Sequence, residues 1–138
     1  MIVVIDTNII ISALIKDSIT RKILVQSNLH FKYPEVSLQE VFKYKAYIME
    51  KTGYNEKTLE AIMNKLLEHI NLVPLELIKP GLNASKEIME EIDVNDAIFI
   101  ATSLFLDKAV IWSDDADFER QKTVKILKTE DIIKMFKK

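Results

Sequence analysis

The informative residues in this chain are acids, and what marks them is where they fall. Asp6 directly follows the apolar run Met1-Ile-Val-Val-Ile5. Glu40 sits in the first turn of a predicted helix. Asp96 opens the almost wholly apolar segment from Ala97 to Phe105, and Asp114, Asp115 and Asp117 directly follow Ala109-Val-Ile-Trp112. Carboxylates that converge repel one another, by roughly 4 kcal/mol for a pair about 4 Å apart at an effective dielectric of about 20. Several such pairs would consume much of a domain's stability, typically about 5–15 kcal/mol. Either some of them are protonated or a cation neutralises them. There is no Cys, and of the 2 His neither His30 nor His69 adjoins these acids in the chain. Oxygen-only ligands select a hard divalent ion, Mg2+ or Mn2+. Such an ion keeps waters and favours phosphate oxygens, so the chemistry indicated is phosphoryl transfer to water, with no Ser or Cys nucleophile required.

These acids must be positioned by elements that the pattern also predicts. Met1 to Ile5 is a continuous, mostly β-branched run ended by polar residues, as in a strand buried on both faces. Helices are expected over Asn8 to Ile15, Thr20 to Ser27, Ser37 to Lys51, Asn55 to Ile70, Ala84 to Ile92, Asp96 to Leu106 and Thr129 to Phe136. The clearest is Asn55 to Ile70, where Asn55 suits an N-cap and Leu59, Ile62, Met63, Leu66, Leu67 and Ile70 form one stripe. Further strands are expected over Leu29 to Tyr33, Leu72 to Leu77, Ala109 to Trp112 and Val124 to Leu127. Strands alternating with helices imply an α/β fold with a mainly parallel sheet. In open parallel sheets ligands bind outside the carboxyl ends of strands, near the point where strand order reverses. Asp6 and the Asp114 to Asp117 group both fall at such ends.

Each acid also has an ordinary reading. Asp6 with Thr7 and Asn8 can simply cap the first helix. Ser37-Leu-Gln-Glu40 has the form of a capping box. Asp93 and Asp96 can be acids placed at a helix start, where the macrodipole favours them. Asp114 to Asp117 can be an acidic turn. Taken together, these readings require four coincidences of placement.

Composition narrows the remaining choices. The 138 residues are predicted to form one domain, 1–138, with one core. Hydrophobic residues make up 49% and charged residues 29%, the balance of a soluble globular protein. Apolar runs fall well short of the roughly 18 residues of a membrane span. No basic region precedes the first apolar run, which argues against a signal peptide, and the cytoplasm is the expected compartment. The absence of Cys excludes disulfide scaffolds, thiolate zinc sites and thiol nucleophiles. A net charge of -2 supplies no global attraction to nucleic acid. Local basic candidates are Arg21, Lys22, Lys43, Lys45, Lys122, Lys125 and Lys128. Tyr44 and Tyr47 could stack on a base or pack against a partner.

Four segments, in order, resemble those of PIN domains: Ile5-Asp6-Thr-Asn8, Ser37-Leu-Gln-Glu40, Asn95-Asp96-Ala-Ile-Phe-Ile-Ala-Thr-Ser-Leu104 and Trp112-Ser-Asp-Asp115-Ala-Asp-Phe118. The resemblance covers nearly the whole chain and is to the single-domain toxins of VapBC toxin–antitoxin pairs. It implies an α/β/α sandwich of parallel strands and an Mg2+- or Mn2+-dependent ribonuclease acting on RNA. It also implies a homodimer and often a small antitoxin partner that blocks the site. On this resemblance Asp6, Glu40, Asp96 and Asp115 are the catalytic acids, with Asp6, Asp96 and Asp115 as metal ligands. Asn8, Ser113, Asp117 and Asp93 are secondary. Ser113 stands where Thr is commoner, and three acids between 114 and 117 blur the register. The alternatives are an RNA-processing nuclease of the same fold or a receiver-like regulatory module. A receiver would want an acid pair closing the first strand, whereas Ile5 precedes Asp6. A dehalogenase-like phosphatase would want a second acid at position 8, which is Asn8.

Overall fold

The computed structural model describes residues 1–15, 18–89 and 96–136. The run predicted as a buried strand forms β1 (Ile2–Ile5), in which Val3, Val4 and Ile5 are fully buried. The other strands are β2 (His30–Pro34), β3 (Ile70–Val73), β4 (Val110–Trp112) and β5 (Ile126–Leu127). They form one sheet in the order β3-β2-β1-β4-β5, and every pairing is parallel. The chain first builds outward from β1 through β2 to β3, then returns to place β4 on the other side of β1. The order therefore reverses between β1 and β4, and a crevice at their carboxyl ends is the place such sheets offer to a ligand.

Helices cover both faces, giving an α/β/α sandwich. On one side α1 (Thr7–Ile15) packs with α2 (Ile19–Gln26), α3 (Leu38–Lys43), α4 (Lys45–Thr52) and α5 (Glu56–Leu67), and α9 (Thr129–Phe136) joins through α2. On the other, α6 (Leu75–Ile78) and α7 (Leu82–Ile88) pack on α8 (Ala97–Phe105), which lies across β1, β2 and β4. A helix touching three strands must be apolar on most faces, and this explains the composition of α8. Among the described residues no helix is long and apolar enough to cross a membrane.

Several element predictions need correction. The helix expected over Ser37 to Lys51 is instead a 3-10 turn, Glu35–Ser37, followed by α3 and α4, which divide at Tyr44. The stripe ending at Ile70 is shorter as a helix: α5 stops at Leu67, and Ile70 opens β3, pairing with Phe31. Its apolar side chain fits either period, and the parallel ladder decides for the strand. The residues around Pro74 are not extended throughout, because α6 begins at Leu75. Asn55 caps α5 as expected, accepting from the Thr58 amide at 2.8 Å.

An aromatic file lies at the carboxyl end of the sheet. Phe99 of α8 stands 6.0 Å from the Tyr33 ring and 6.2 Å from Phe118, edge-on to the latter, and all three are buried. This contact fixes the start of α8 over the exits of β2 and β4. Phe99→Ala should lower unfolding free energy by about 3–5 kcal/mol, measured by denaturant titration, and Phe99→Leu by clearly less. A loss below about 1 kcal/mol for the Ala variant would show that the file is not a packing anchor.

Candidate active site

The site starts from Asp6, the residue after β1. Its amide donates to the Trp112 carbonyl at 3.3 Å, extending the β1–β4 ladder one step past the Ile5–Trp112 pair. Asp6 as a whole is 4% exposed. Oδ1 accepts from the Ile9 amide at 3.0 Å, and Oδ2 accepts from the Ser113 hydroxyl. The cap reading and the site reading of Asp6 thus coexist, one on each oxygen. Burial raises its pKa from 3.8 to about 6, opposed by the Ser113 and Ile9 hydrogen bonds and reinforced by the negative charges of Asp115 and Asp114.

Ser113, also buried, joins the two strand ends: its hydroxyl donates to Asp6 and accepts from the Asp115 amide at 3.0 Å. The three acids beyond it have divided roles. Asp114 turns to α9, where Oδ1 accepts from the Thr129 amide at 2.8 Å and Oδ2 from the Thr129 hydroxyl at 2.5 Å. It caps a helix that starts fifteen residues later in the chain. The Thr129 hydroxyl also accepts from the Trp112 indole at 2.9 Å. Asp115 begins the 3-10 turn Ala116–Arg120, its Oδ1 accepting from the Asp117 amide at 2.9 Å. Asp117 is half-buried and follows on the same turn.

Glu40 and Asp96 approach from the other elements. Glu40 is half-buried in the first turn of α3. The capping box is not formed at its Ser37 end, since Ser37 is helical and its side chain makes no cap. The Ser37 carbonyl instead accepts from the Tyr33 hydroxyl at 2.9 Å, and that hydroxyl is also 2.7 Å from Thr7 Oγ1. Burial pushes the Tyr33 phenol well above its ordinary range; the Thr7 bond opposes this, while the charges of Glu40 and Asp6 add to it. Glu40 and Asp6 therefore act on the same hydroxyl. Asp96 occupies the cap position of α8 without making a side-chain cap, one turn before Phe99. Asp93 and Asn95 lie outside the described residues. Asn8 is exposed on α1 and lines an open groove with Tyr44, Tyr47 and Lys51.

Asp114 and Asp115 thus lie within electrostatic range of Asp6, the charges of Glu40 and Asp6 both bear on the Tyr33 hydroxyl, and Asp96 precedes α8, whose Phe99 packs on Tyr33 and Phe118. Among the described residues no three His, Cys, Asp or Glu side chains are grouped tightly enough to hold a metal ion as they stand. The donor set still fits a hard cation: the candidates are all carboxylates, and the buried one is destabilised as an anion first by burial and further by the charges of Asp115 and Asp114. Of the basic candidates, Arg21 is committed to α1, donating to the Ala13 carbonyl at 2.7 Å and the Leu14 carbonyl at 3.2 Å. Lys45 pairs with Glu56, and Lys128 with Glu119. Sequence reasoning missed Thr7, Tyr33 and Thr129. The one signal available was a tyrosine placed where a buried strand wants a purely apolar residue.

A family model described as PIN domain matches residues 4–136. Among solved structures, the fold is similar to that in the crystal structure of VapBC2 from Rickettsia felis bound to a DNA fragment from their promoter. The TM-score is 0.70 at 15% identity, over 93% of this chain and 98% of that one. Comparison with the curated proteins gives no match.

Two expectations follow from the geometry. Because Asp6 titrates higher folded than unfolded, the native state holds the extra proton between pH 3.8 and about 6. Its contribution to stability therefore falls as pH rises through that window and is fully lost above it, by about 3 kcal/mol. In chelator-treated protein, Asp6→Asn should gain on the parent by that amount between pH 4 and 6 (about) and stay level above, as followed by denaturant unfolding. A constant difference across the range would mean that Asp6 is not raised. Asp114→Ala should cost about 1 kcal/mol of stability through the lost cap, and an unchanged melting temperature would refute that role.

Proposed function

Since this chain belongs to the PIN domain family, we propose that it is a metal-dependent ribonuclease hydrolysing RNA phosphodiester bonds, and the toxin of a type II toxin–antitoxin pair. The observation that carries this reading is the buried Asp6 carboxylate at the β1–β4 reversal point, with Asp115 and Asp114 acting on it. Asp6 and Asp114 each hold a helix start, but neither role requires a buried charge beside Asp115, whereas a cation turns that repulsion into binding energy. The likeness in fold to VapBC2 supports the toxin assignment, and with it a small antitoxin and a homodimer as partners.

The proposed ligands are Asp6, Asp96 and Asp115. Bound Mg2+ or Mn2+ would supply the positive charge that polarises the phosphate and acidifies water. Ser113 holds the Asp6 carboxylate in one rotamer, and the α1 amide of Ile9 holds its other oxygen. Glu40 is assigned the proton of the attacking water, being the candidate acid left outside the ligand set. Asp117 and Asp93 remain secondary acids, and Asn8 lines the approach along α1. Asp114 is left out of the chemistry because both of its oxygens serve Thr129.

The test is cleavage of structured RNA with Mn2+, with and without EDTA. Asp6→Asn, Glu40→Gln, Asp96→Asn and Asp115→Asn should each slow cleavage about a hundredfold to a thousandfold, the scale of one lost electrostatic contact to the transition state. Asp114→Asn should stay within about a few-fold of the parent, because an amide oxygen still accepts from Thr129. RNA left intact by the parent with Mn2+ would overturn the ribonuclease reading. An inactive Asp114→Asn beside an active Asp115→Asn would move the ligand to Asp114.

A further inference from the structure

Resting on the metal-nuclease reading, we propose that Tyr33 is a positioning residue whose hydroxyl sets the spacing between the segments carrying Asp6 and Glu40. The two sides of β1 differ in how they are held at the carboxyl end. Toward β4 the ladder runs to Ile5 with Trp112, continues through the Asp6 amide and ends in the Ser113 bond to the Asp6 carboxylate. Toward β2 the last registered pair is Val4 with Lys32. Beyond it the two chains run on, one into α1 and the other into the turn before α3, without a further registered pair between β1 and β2. The Tyr33 hydroxyl takes over at that point.

Tyr33 is the next-to-last residue of β2 and is fully buried. Its hydroxyl donates its one proton to the Ser37 carbonyl at 2.9 Å, so across the 2.7 Å contact the Thr7 hydroxyl is the donor. Thr7 follows Asp6 directly, and Ser37 closes the 3-10 turn that leads to Glu40. One phenol thus joins the exits of two neighbouring strands, each carrying a candidate acid. The charges of Glu40 and Asp6 both bear on this hydroxyl. The ring is already seated by Phe99, and a phenylalanine would fill the same space. The hydroxyl is therefore the part of this residue that packing alone does not require.

The experiment measures half-saturating Mn2+, read from the rise in melting temperature and separately from RNA cleavage against Mn2+ concentration. Tyr33→Phe and Thr7→Val should each raise it about tenfold to a hundredfold, the usual effect of losing a group that orients a ligand. Because both remove the same tie, the double variant should show no further shift. Cleavage by Tyr33→Phe at saturating Mn2+ should recover to near the parent rate. Phe31→Leu, on the same strand, should lower the metal-free melting temperature and leave half-saturation unchanged. Parental half-saturation in Tyr33→Phe, or additive shifts in the double variant, would overturn the tie while leaving the nuclease reading standing. A parent whose melting temperature does not respond to Mn2+ would overturn both.

Discussion

A carboxylate buried at the seam between two parallel strands is the constraint on which this molecule is organised. Asp6 sits where β1 ends and β4 runs beside it, shielded from water and held by the Ile9 amide and the Ser113 hydroxyl. Burial makes its charged form costly, and the nearby aspartates increase that cost. Two hydrogen bonds offset part of it, one from the first turn of α1 and one from Ser113. These two bonds do more than solvate an anion. They connect the first helix to the end of the fourth strand through a side chain.

The rest of the site follows from what that carboxylate needs around it. A water-poor floor is supplied by Tyr33, Phe99 and Phe118, whose rings meet where β2 and β4 end and α8 begins. The same file sets where α8 begins, and hence where Asp96 is delivered. An apolar helix spanning three strands has little freedom to slide, because a shift would open cavities along its whole length. Rigid elements thereby bring Asp6, at the end of β1, within electrostatic range of Asp114 and Asp115 beyond β4, an arrangement that short-range preferences could not produce.

The run Asp114 to Asp117 illustrates how identical side chains are separated by direction. Successive residues leaving a strand point to opposite sides. Asp114 accordingly faces α9 and satisfies Thr129, while Asp115 opens the turn on the Asp6 side, where its amide also meets Ser113. One aspartate becomes a structural cap and its neighbour stays near the buried acid. No difference in residue type distinguishes them; the difference lies in which partner each direction meets.

Periodicity and punctuation alone determined the α/β class, the buried first strand, the cap at Asn55, the apolar character of α8 and the set of acids at strand ends and helix starts. All of these are local: they depend on residues within one or two turns of each other, where the hydrophobic period and capping chemistry are written directly in the chain. Tertiary structure alone decided the strand order that places the reversal between β1 and β4, the change of Ile70 from helix stripe to strand, and the division of one expected helix at Tyr44. It also decided the partners of the polar groups. Ser113 meets Asp6 across 107 positions, Tyr33 meets Thr7 across 26, and Asp114 meets Thr129 across 15. No local preference encodes such pairings, because a hydroxyl or a carboxylate accepts many partners equally well. The choice falls to whichever one the packed sheet and helices carry within about 3 Å.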